Sequence, residues 1–126
     1  MYESISRQHS ETEIHEITGM VCNNLLAVRG STQDTVHVLY LSVDSLWLRV
    51  FIDCGVLFLE SVSEPGREDD LETGEEYRDL ASELGLLGLT IGEAKMANGA
   101  FAVTFDNGLE IQFEDFQEET RFLFRP

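Results

Sequence analysis

The sequence is poor in cysteine and in long apolar runs, and each shortage excludes a class of protein. Two cysteines, Cys22 and Cys54, are too few for the disulfide framework of a small secreted domain. Apolar runs such as Val56–Leu59 are far too short to span a bilayer, and Met1–Ile5 lacks the basic region and apolar run of a signal peptide. We therefore expect a cytoplasmic protein that has two free thiols and does not cross a membrane.

Basic residues are also scarce, because 8 lysines and arginines stand against 24 acidic residues and leave a net charge of −16 at pH 7. A field of this sign repels nucleic acid phosphates and anionic membranes, and it attracts basic proteins and cations. Net charge alone specifies no partner, and good solubility would explain it equally well. The charge thus favours a basic protein partner over nucleic acid or membrane, and it leaves the oligomeric state open.

The sequence does contain enough apolar material for one core. Hydrophobic residues make up 43% of the 126 positions and aromatic residues 10%, which suits a single folded domain. Residues 1–12 carry mostly polar side chains with scattered apolar groups. We therefore predict a flexible N-terminus over residues 1–12 and a single globular domain over residues 13–126.

Strand patterns dominate the first half of that domain. Val36–Val43, Leu46–Asp53 and Val56–Val62 are rich in strand-forming residues, and two-residue turns separate them. This spacing predicts an antiparallel meander. Its middle strand is apolar on most of both faces, so we expect it to be central and covered on both sides. Upstream, Asn23-Asn24 divides two short apolar runs and predicts a hairpin turn.

One helix is predicted, over about residues 75–84. Thr73 and Glu76 have the spacing of a capping box, and Gly85 is a typical C-terminal stop. Apolar residues at helical spacing between them form one face. That face consists of Tyr77, Leu80, Ala81 and Leu84.

The C-terminal part is again strand-like. Phe101–Phe105 and Leu109–Glu114 alternate apolar and polar residues, and Asp106-Asn107-Gly108 between them predicts a hairpin, because Asn-Gly accepts positive φ. Leu89–Met96 and Thr120–Arg125 predict two more strands. The fold class is therefore α+β and mostly antiparallel β, with seven to nine strands in two meanders and one helix packed on a sheet.

No catalytic or metal-binding pattern is present in the sequence. The three histidines and two cysteines lack the tight spacing of a zinc site. Cys54 has no histidine close in sequence to act as its base. The acidic run 69–76 has Gly74 where a calcium loop needs its third acid. We therefore predict that the protein is not an enzyme and binds no metal or cofactor.

Two acidic groups are the candidate contacts for a basic partner. The first lies in the segment after the third strand and consists of Asp69, Asp70, Glu72, Glu75, Glu76 and Asp79. The second lies near the C-terminus and consists of Glu110, Glu114, Asp115, Glu118 and Glu119. Trp47 shares a strand face with Arg49 and Phe51, and it either packs under the helix, which we favour, or belongs to a contact patch.

Two segments, Leu48–Gly55 and Phe105–Ile111, resemble small bacterial immunity proteins of polymorphic toxin and contact-dependent inhibition systems. The resemblance implies an acidic, β-rich cytoplasmic protein that plugs a toxin domain, often a basic nuclease, and it transfers no functional residue by motif. Our first hypothesis is accordingly a non-catalytic acidic binding protein that neutralises a basic toxin domain. The alternative is a small-molecule-binding protein or cryptic enzyme with a pocket between sheet and helix, which a deep, polar-lined cavity would favour.

Overall fold

Two antiparallel sheets make up most of the fold. The computed structural model describes residues 5–8, 11–29, 36–53, 55–66, 71, 74–116 and 119–126. These residues form eleven strands, one α-helix and one turn of 3-10 helix at His15–Ile17. The fold is therefore mostly antiparallel β with one small helix, as predicted, and it has more strands than the seven to nine expected. None of the described helices is long and apolar enough to cross a membrane.

The larger sheet, sheet A, has six strands. Their order across the sheet is β1 (Ser6–Gln8), β6 (Val56–Val62), β5 (Leu46–Asp53), β4 (Val36–Val43), β3 (Cys22–Arg29) and β7 (Glu76–Asp79). The first predicted meander is confirmed as β4–β5–β6, because β5 pairs with β4 through Leu41↔Leu48 and with β6 through Val50↔Leu59. Strand β5 is therefore central, as expected from its apolar character, but the expected cover on both sides is incomplete, because Trp47, Arg49 and Phe51 on one face are partly exposed.

The smaller sheet, sheet B, has five strands. Their order is β11 (Glu119–Arg125), β10 (Glu110–Phe116), β9 (Ala100–Phe105), β8 (Ile91–Ala97) and β2 (Thr12–Glu13). The second predicted meander is thus β8–β9–β10–β11. Both sheets extend beyond the predicted meanders, because β1, β2 and β7 pair with strands distant in sequence.

The two sheets share one hydrophobic cluster. Leu25, Leu41 and Leu48 from sheet A and Phe101 and Phe113 from sheet B belong to it, and each is at most 1% exposed. Removing these side chains from water is the main favourable term in folding. Backbone hydrogen bonds also join β3 to the segment before β8, since the Cys22 N–H donates to the Leu89 carbonyl at 2.8 Å.

The predicted helix over residues 75–84 is correct in its C-terminal half and wrong in its N-terminal half. Glu76–Asp79 is strand β7, and the helix α1 spans only Leu80–Leu84. A short helix is marginal in water, so backbone pairing of this segment with β3 wins over its helical pattern. Gly85 ends α1 at φ +70°, as predicted, whereas Thr73 of the expected capping box lies outside the described residues.

The hairpin predicted at Asn23-Asn24 is wrong. Both asparagines lie within β3, where the register against β4 shifts between Cys22 and Asn24. Such a shift accommodates an extra residue without reversing the chain. The Asn23 side chain instead donates to the backbone carbonyl of Asp44, in the turn between β4 and β5.

The hairpin predicted at Asp106-Asn107-Gly108 is confirmed. The Phe105 N–H donates to the Leu109 carbonyl at 2.8 Å, and the Gly108 N–H donates to the Phe105 carbonyl at 2.9 Å. Only Gly108 among the three turn residues has positive φ, at +92°. Asn107 contributes through its side chain, whose Oδ1 accepts the Leu109 N–H at 3.1 Å.

The segment 1–12, predicted to be flexible, contributes to both sheets. Ile5 is 3% exposed, and its N–H donates to Ser61 Oγ at 3.0 Å. Arg7 pairs with Leu59 in sheet A, and Thr12 pairs with Met96 in sheet B. The flexibility of this segment stays a prediction.

Candidate functional site

The side chains of β5 and β6 divide between the two faces of sheet A. Leu48, Val50 and Leu59 point into the core and are at most 1% exposed. The alternate residues point to the opposite face, because successive side chains of a strand lie on opposite sides of the sheet. These half-buried residues form what we call the aromatic face: Trp47, Arg49, Phe51, Phe58, Glu60 and Val62.

Arg49 lies at the centre of the aromatic face and is held from two sides. Its guanidinium carbon lies 4.4 Å from the centroid of the Phe51 ring, and its Nη1 donates to Glu60 Oε1 at 2.9 Å. Phe51 in turn stacks on Phe58, with ring centroids 5.0 Å apart and an interplanar angle of 14°. These contacts fix the directions of four neighbouring side chains on β5 and β6.

Trp47 lies on the side of sheet A that faces away from the helix. It alternates with buried Leu46 and Leu48, and it lies outside the hydrophobic cluster that contains Leu80 and Ala81 of α1. The favoured prediction that Trp47 packs under the helix is therefore wrong. Its half-exposed position beside Arg49 and Phe51 fits the alternative, a contact patch.

On the same side of sheet A, tyrosines of β4 and β7 are covered by a neighbouring segment of the chain. Tyr40 is 8% exposed, and its ring meets that of Tyr77 edge to face at a centroid distance of 6.2 Å. The Tyr77 hydroxyl donates to the backbone carbonyl of Gly66, which follows β6. The described end of the segment after β6 therefore lies over these tyrosines, whereas the described side chains of the aromatic face are partly exposed.

Acidic residues lie at the ends of the strands that carry the aromatic face. Asp44 is in the turn that leads into β5, Asp53 ends β5, and Glu64 follows β6. All three side chains are exposed. A partner that approaches the aromatic face therefore meets exposed carboxylates at the ends of its strands, which favour basic groups.

The described members of the first predicted acidic group have different structural roles. Glu75 Oε2 lies 2.6 Å from Nδ1 of His37, so this carboxylate pairs with a strand of sheet A. Glu76 is exposed on the edge strand β7, and Asp79 caps α1 by accepting the Ser82 N–H. The members outside the described residues are Asp69, Asp70 and Glu72.

Ion pairs offset much of the second predicted acidic group. Glu110 Oε1 accepts a hydrogen bond from Arg125 Nη1 at 2.8 Å, and Glu114 Oε2 accepts one from Arg121 Nη2 at 3.1 Å. Asp115 is exposed. This face of sheet B therefore presents both signs of charge, because the register of β10 against β11 places Arg125 opposite Glu110 and Arg121 opposite Glu114. Two members lie outside the described part, namely Glu118 and the side chain of Glu119.

The described cysteine and histidines do not form a site together. Burial raises the pKa of the Cys22 thiol to about 11, against a smaller lowering by a backbone hydrogen bond at Asn24, so the thiol is neutral at pH 7. His15, in the 3-10 turn that follows β2, has its Nε2 3.3 Å from Glu13 and is far from the aromatic face in sequence. Within the described residues, no group of three or more His, Cys, Asp or Glu is arranged to hold a metal ion.

No protein-family model, no curated protein and no solved structure matches this chain. The resemblance of Leu48–Gly55 and Phe105–Ile111 to immunity proteins therefore stays a prediction from the sequence. What bears on function is the aromatic face, the acids around it and the net charge.

Proposed function

We propose that this chain is a non-catalytic, acidic binding protein that neutralises a basic protein partner, as an immunity protein neutralises a toxin domain. The aromatic face is the observation that carries the proposal. It places an indole, a guanidinium and two phenyl rings, all half-buried, on one side of a sheet. Aromatic residues and arginine are enriched in protein interfaces, and tryptophan and arginine are among the residues that contribute most to binding.

The aromatic face is already ordered for binding. Arg49 is fixed between Phe51 and Glu60, and Phe51 is stacked on Phe58. Strand β5 pairs on both sides, which keeps the backbone beneath these side chains rigid. A surface fixed in advance loses less conformational entropy when a partner binds, so more of its contact energy appears as affinity.

The charge determines which kind of partner is favoured. The chain carries −16, and Asp44, Asp53 and Glu64 lie at the ends of the strands that carry the aromatic face. A basic protein with an apolar patch would place that patch on Trp47 and its own lysines and arginines on the surrounding carboxylates. Electrostatic attraction would speed its association and would disfavour acidic proteins and nucleic acids. The proposal locates both proteins in the cytoplasm, where the free thiol of Cys22 stays reduced.

Protection and binding measured together test the proposal. The protein encoded beside the gene for this chain is produced with and without it in bacterial cells, and growth and complex formation are recorded. We expect a basic toxin whose effect is suppressed when the complex forms. Trp47→Ala and Arg49→Ala should each raise the Kd at least about 30-fold, equivalent to about 2 kcal/mol of lost binding free energy.

Two matched variants serve as controls. Leu87→Ala removes an apolar side chain that is 53% exposed and lies outside the aromatic face, and Arg125→Ala removes an arginine on sheet B. Both should bind and protect like the unmodified protein. Equal weakening by the controls, or full protection by a folded Trp47→Ala, Arg49→Ala double variant, would contradict the proposal.

A further inference from the structure

Three arginines from distant parts of the chain line one cavity. Arg29 lies at the end of β3, Arg78 lies in β7, and Arg121 lies in β11. The cavity has a volume of about 350 Å³ and lies between the core side of sheet A, the start of α1 and strand β11 of sheet B. The chain has only seven arginines, so three of them at one cavity form a local positive centre in a strongly acidic protein.

Two of these guanidinium groups already contact a carboxylate. Arg78 Nε donates to both carboxylate oxygens of Glu83, at 3.0 and 2.8 Å, and Arg121 Nη2 donates to Glu114 at 3.1 Å. Arg29 has no hydrogen-bonded or ion-paired acid among the described residues. These contacts orient two of the arginines, and each guanidinium has five N–H donors in all.

The rest of the cavity wall is apolar. Ala27, Val36 and Leu80 are buried, and Phe122 and Leu123 of β11 are half-buried. An occupant must therefore present an apolar body to one wall and hydrogen-bond acceptors to the arginines. The volume lies near the lower end of the range for small-molecule sites, about 300–1,000 Å³, so a single small molecule fits better than a chain segment.

We propose that this cavity binds a small organic anion, with a carboxylate or phosphate group held by Arg29, Arg78 and Arg121 and an apolar body against Val36, Leu80 and Leu123. A guanidinium group can donate two parallel hydrogen bonds to two oxygens of either a carboxylate or a phosphate, and charge-assisted hydrogen bonds of this kind are the stronger ones in proteins. An apolar wall lowers the local dielectric constant and strengthens the attraction further.

This inference does not depend on the proposed function. The cavity opens on the core side of sheet A, at its β3–β7 edge, whereas the aromatic face lies on the other side over β5 and β6. Substitutions at Arg29 should therefore leave the binding of a protein partner unchanged. Failure of one proposal is distinguishable from failure of the other.

Three probes with the same ring separate the chemistry of the anion from that of the body: benzoate, phenyl phosphate and uncharged benzamide. Each is titrated into the full-length protein while backbone amide NMR signals are followed, at concentrations up to about 10 mM, ten times a Kd of about 1 mM. We expect one or both anions to shift the amides of Ala27, Leu80 and Leu123, and benzamide to leave them in place. The tighter of the two anions identifies the head group.

Variants then test the arginines. Arg29→Gln should weaken binding of the preferred anion at least about tenfold, because a hydrogen bond to a charged group is lost. Arg125→Gln is the matched control, since Arg125 is on β11 outside the cavity, and it should bind as before. Arg29→Lys keeps the positive charge but loses the planar guanidinium group, so its affinity for the anion should lie between those of the unmodified protein and Arg29→Gln. Unshifted amide signals elsewhere show that each variant is folded.

Three results would overturn the inference. The first is that neither anion shifts the three amides. The second is that benzamide shifts them as strongly as the anions do, which would mean that the wall alone binds the ring. The third is that a folded Arg29→Gln variant retains the affinity of the unmodified protein.

Discussion

Asp79 and Ser82 are joined by two hydrogen bonds across the first turn of α1. Asp79 Oδ1 accepts the Ser82 N–H at 3.1 Å, and Asp79 Oδ2 accepts the Ser82 hydroxyl at 3.0 Å. A carboxylate in this position satisfies an N–H that the helix itself leaves unpaired. Asp79, predicted from the sequence as a partner contact, therefore has a structural task, whatever it contributes to binding.

Asp79→Ala should lower the free energy of unfolding by about 1 kcal/mol, because the cap of α1 is lost. For a chain of this size, that corresponds to a fall in Tm of about 4 °C. Thermal unfolding followed by circular dichroism measures it. Glu76→Ala is the control, since Glu76 is exposed three residues earlier and should leave the Tm unchanged. Identical melts for the two variants would contradict the capping role.

The acidic segment can be tested without disturbing its paired members. In the triple variant Asp69→Asn, Asp70→Asn and Glu72→Gln, the contacts of Glu75 and Asp79 are kept. If the segment steers a basic partner, the association rate falls at low salt while the dissociation rate and the Tm barely change. The difference should shrink as salt shortens the screening length from about 30 Å at 0.01 M to about 8 Å at 0.15 M.

A second triple variant controls for net charge. This variant removes an equal number of negative charges at exposed positions elsewhere, through Glu13→Gln, Glu16→Gln and Glu93→Gln. Surface plasmon resonance at two salt concentrations compares both variants with the unmodified protein. Equal slowing in the two variants would show that only the total charge matters, and unchanged kinetics in both would leave the segment a role in solubility alone.

Gly108→Val should destabilise the β9–β10 hairpin by about 1–3 kcal/mol, because a β-branched residue resists positive φ. Gly108 has φ +92°, and a side-chain carbon at this position would meet no atom within 4 Å, so the cost is conformational rather than steric crowding. Gly108→Asn is the control and should lose less stability, since asparagine enters the left-handed region more readily. Chemical denaturation of the three proteins gives the values, and equal loss in both variants would argue against this explanation.

The buried thiol of Cys22 should make stability depend on pH above 9. Its pKa is raised from 9.0 to about 11 in the folded protein, mainly by burial. The unfolded thiol therefore ionises first, so stability present below pH 9 is lost as the pH rises toward 11. The difference in unfolding free energy between the unmodified protein and Cys22→Ala should shrink across this range. A constant difference would contradict the raised pKa.

Local patterns gave the strands and turns correctly where the chain pairs with its neighbour in sequence. Val36–Val43, Leu46–Asp53 and Val56–Val62 have the bounds expected from their alternation. The local patterns gave the wrong structure where a segment pairs with a strand that is distant in sequence. The segment Glu76–Asp79 has a helical pattern, yet it pairs with β3, and the Asn23-Asn24 turn signal is absorbed into a strand.

The candidate sites were likewise predictable only where they depend on residues close together in sequence. The alternation along β5 placed Trp47, Arg49 and Phe51 on one face from the sequence, although not their partner Phe58 or the side on which the helix lies. The ion pairs of Glu110 and Glu114 with β11 required the register of β10 against β11. No spacing in the sequence signals that these acids are paired.

The sequence by itself determined the strand periodicity, the Gly85 and Gly108 turns and the net charge, because each depends on composition or on residues a few positions apart. Only the tertiary structure decided that β7 lies beside β3 and that β11 approaches the start of β4, where the Thr120 hydroxyl donates to the Val36 carbonyl. That arrangement brings Arg29, Arg78 and Arg121 to one cavity. Its physical reason is that pairing between distant strands depends on burying whole sheet faces in one register, and no short stretch of sequence contains that information.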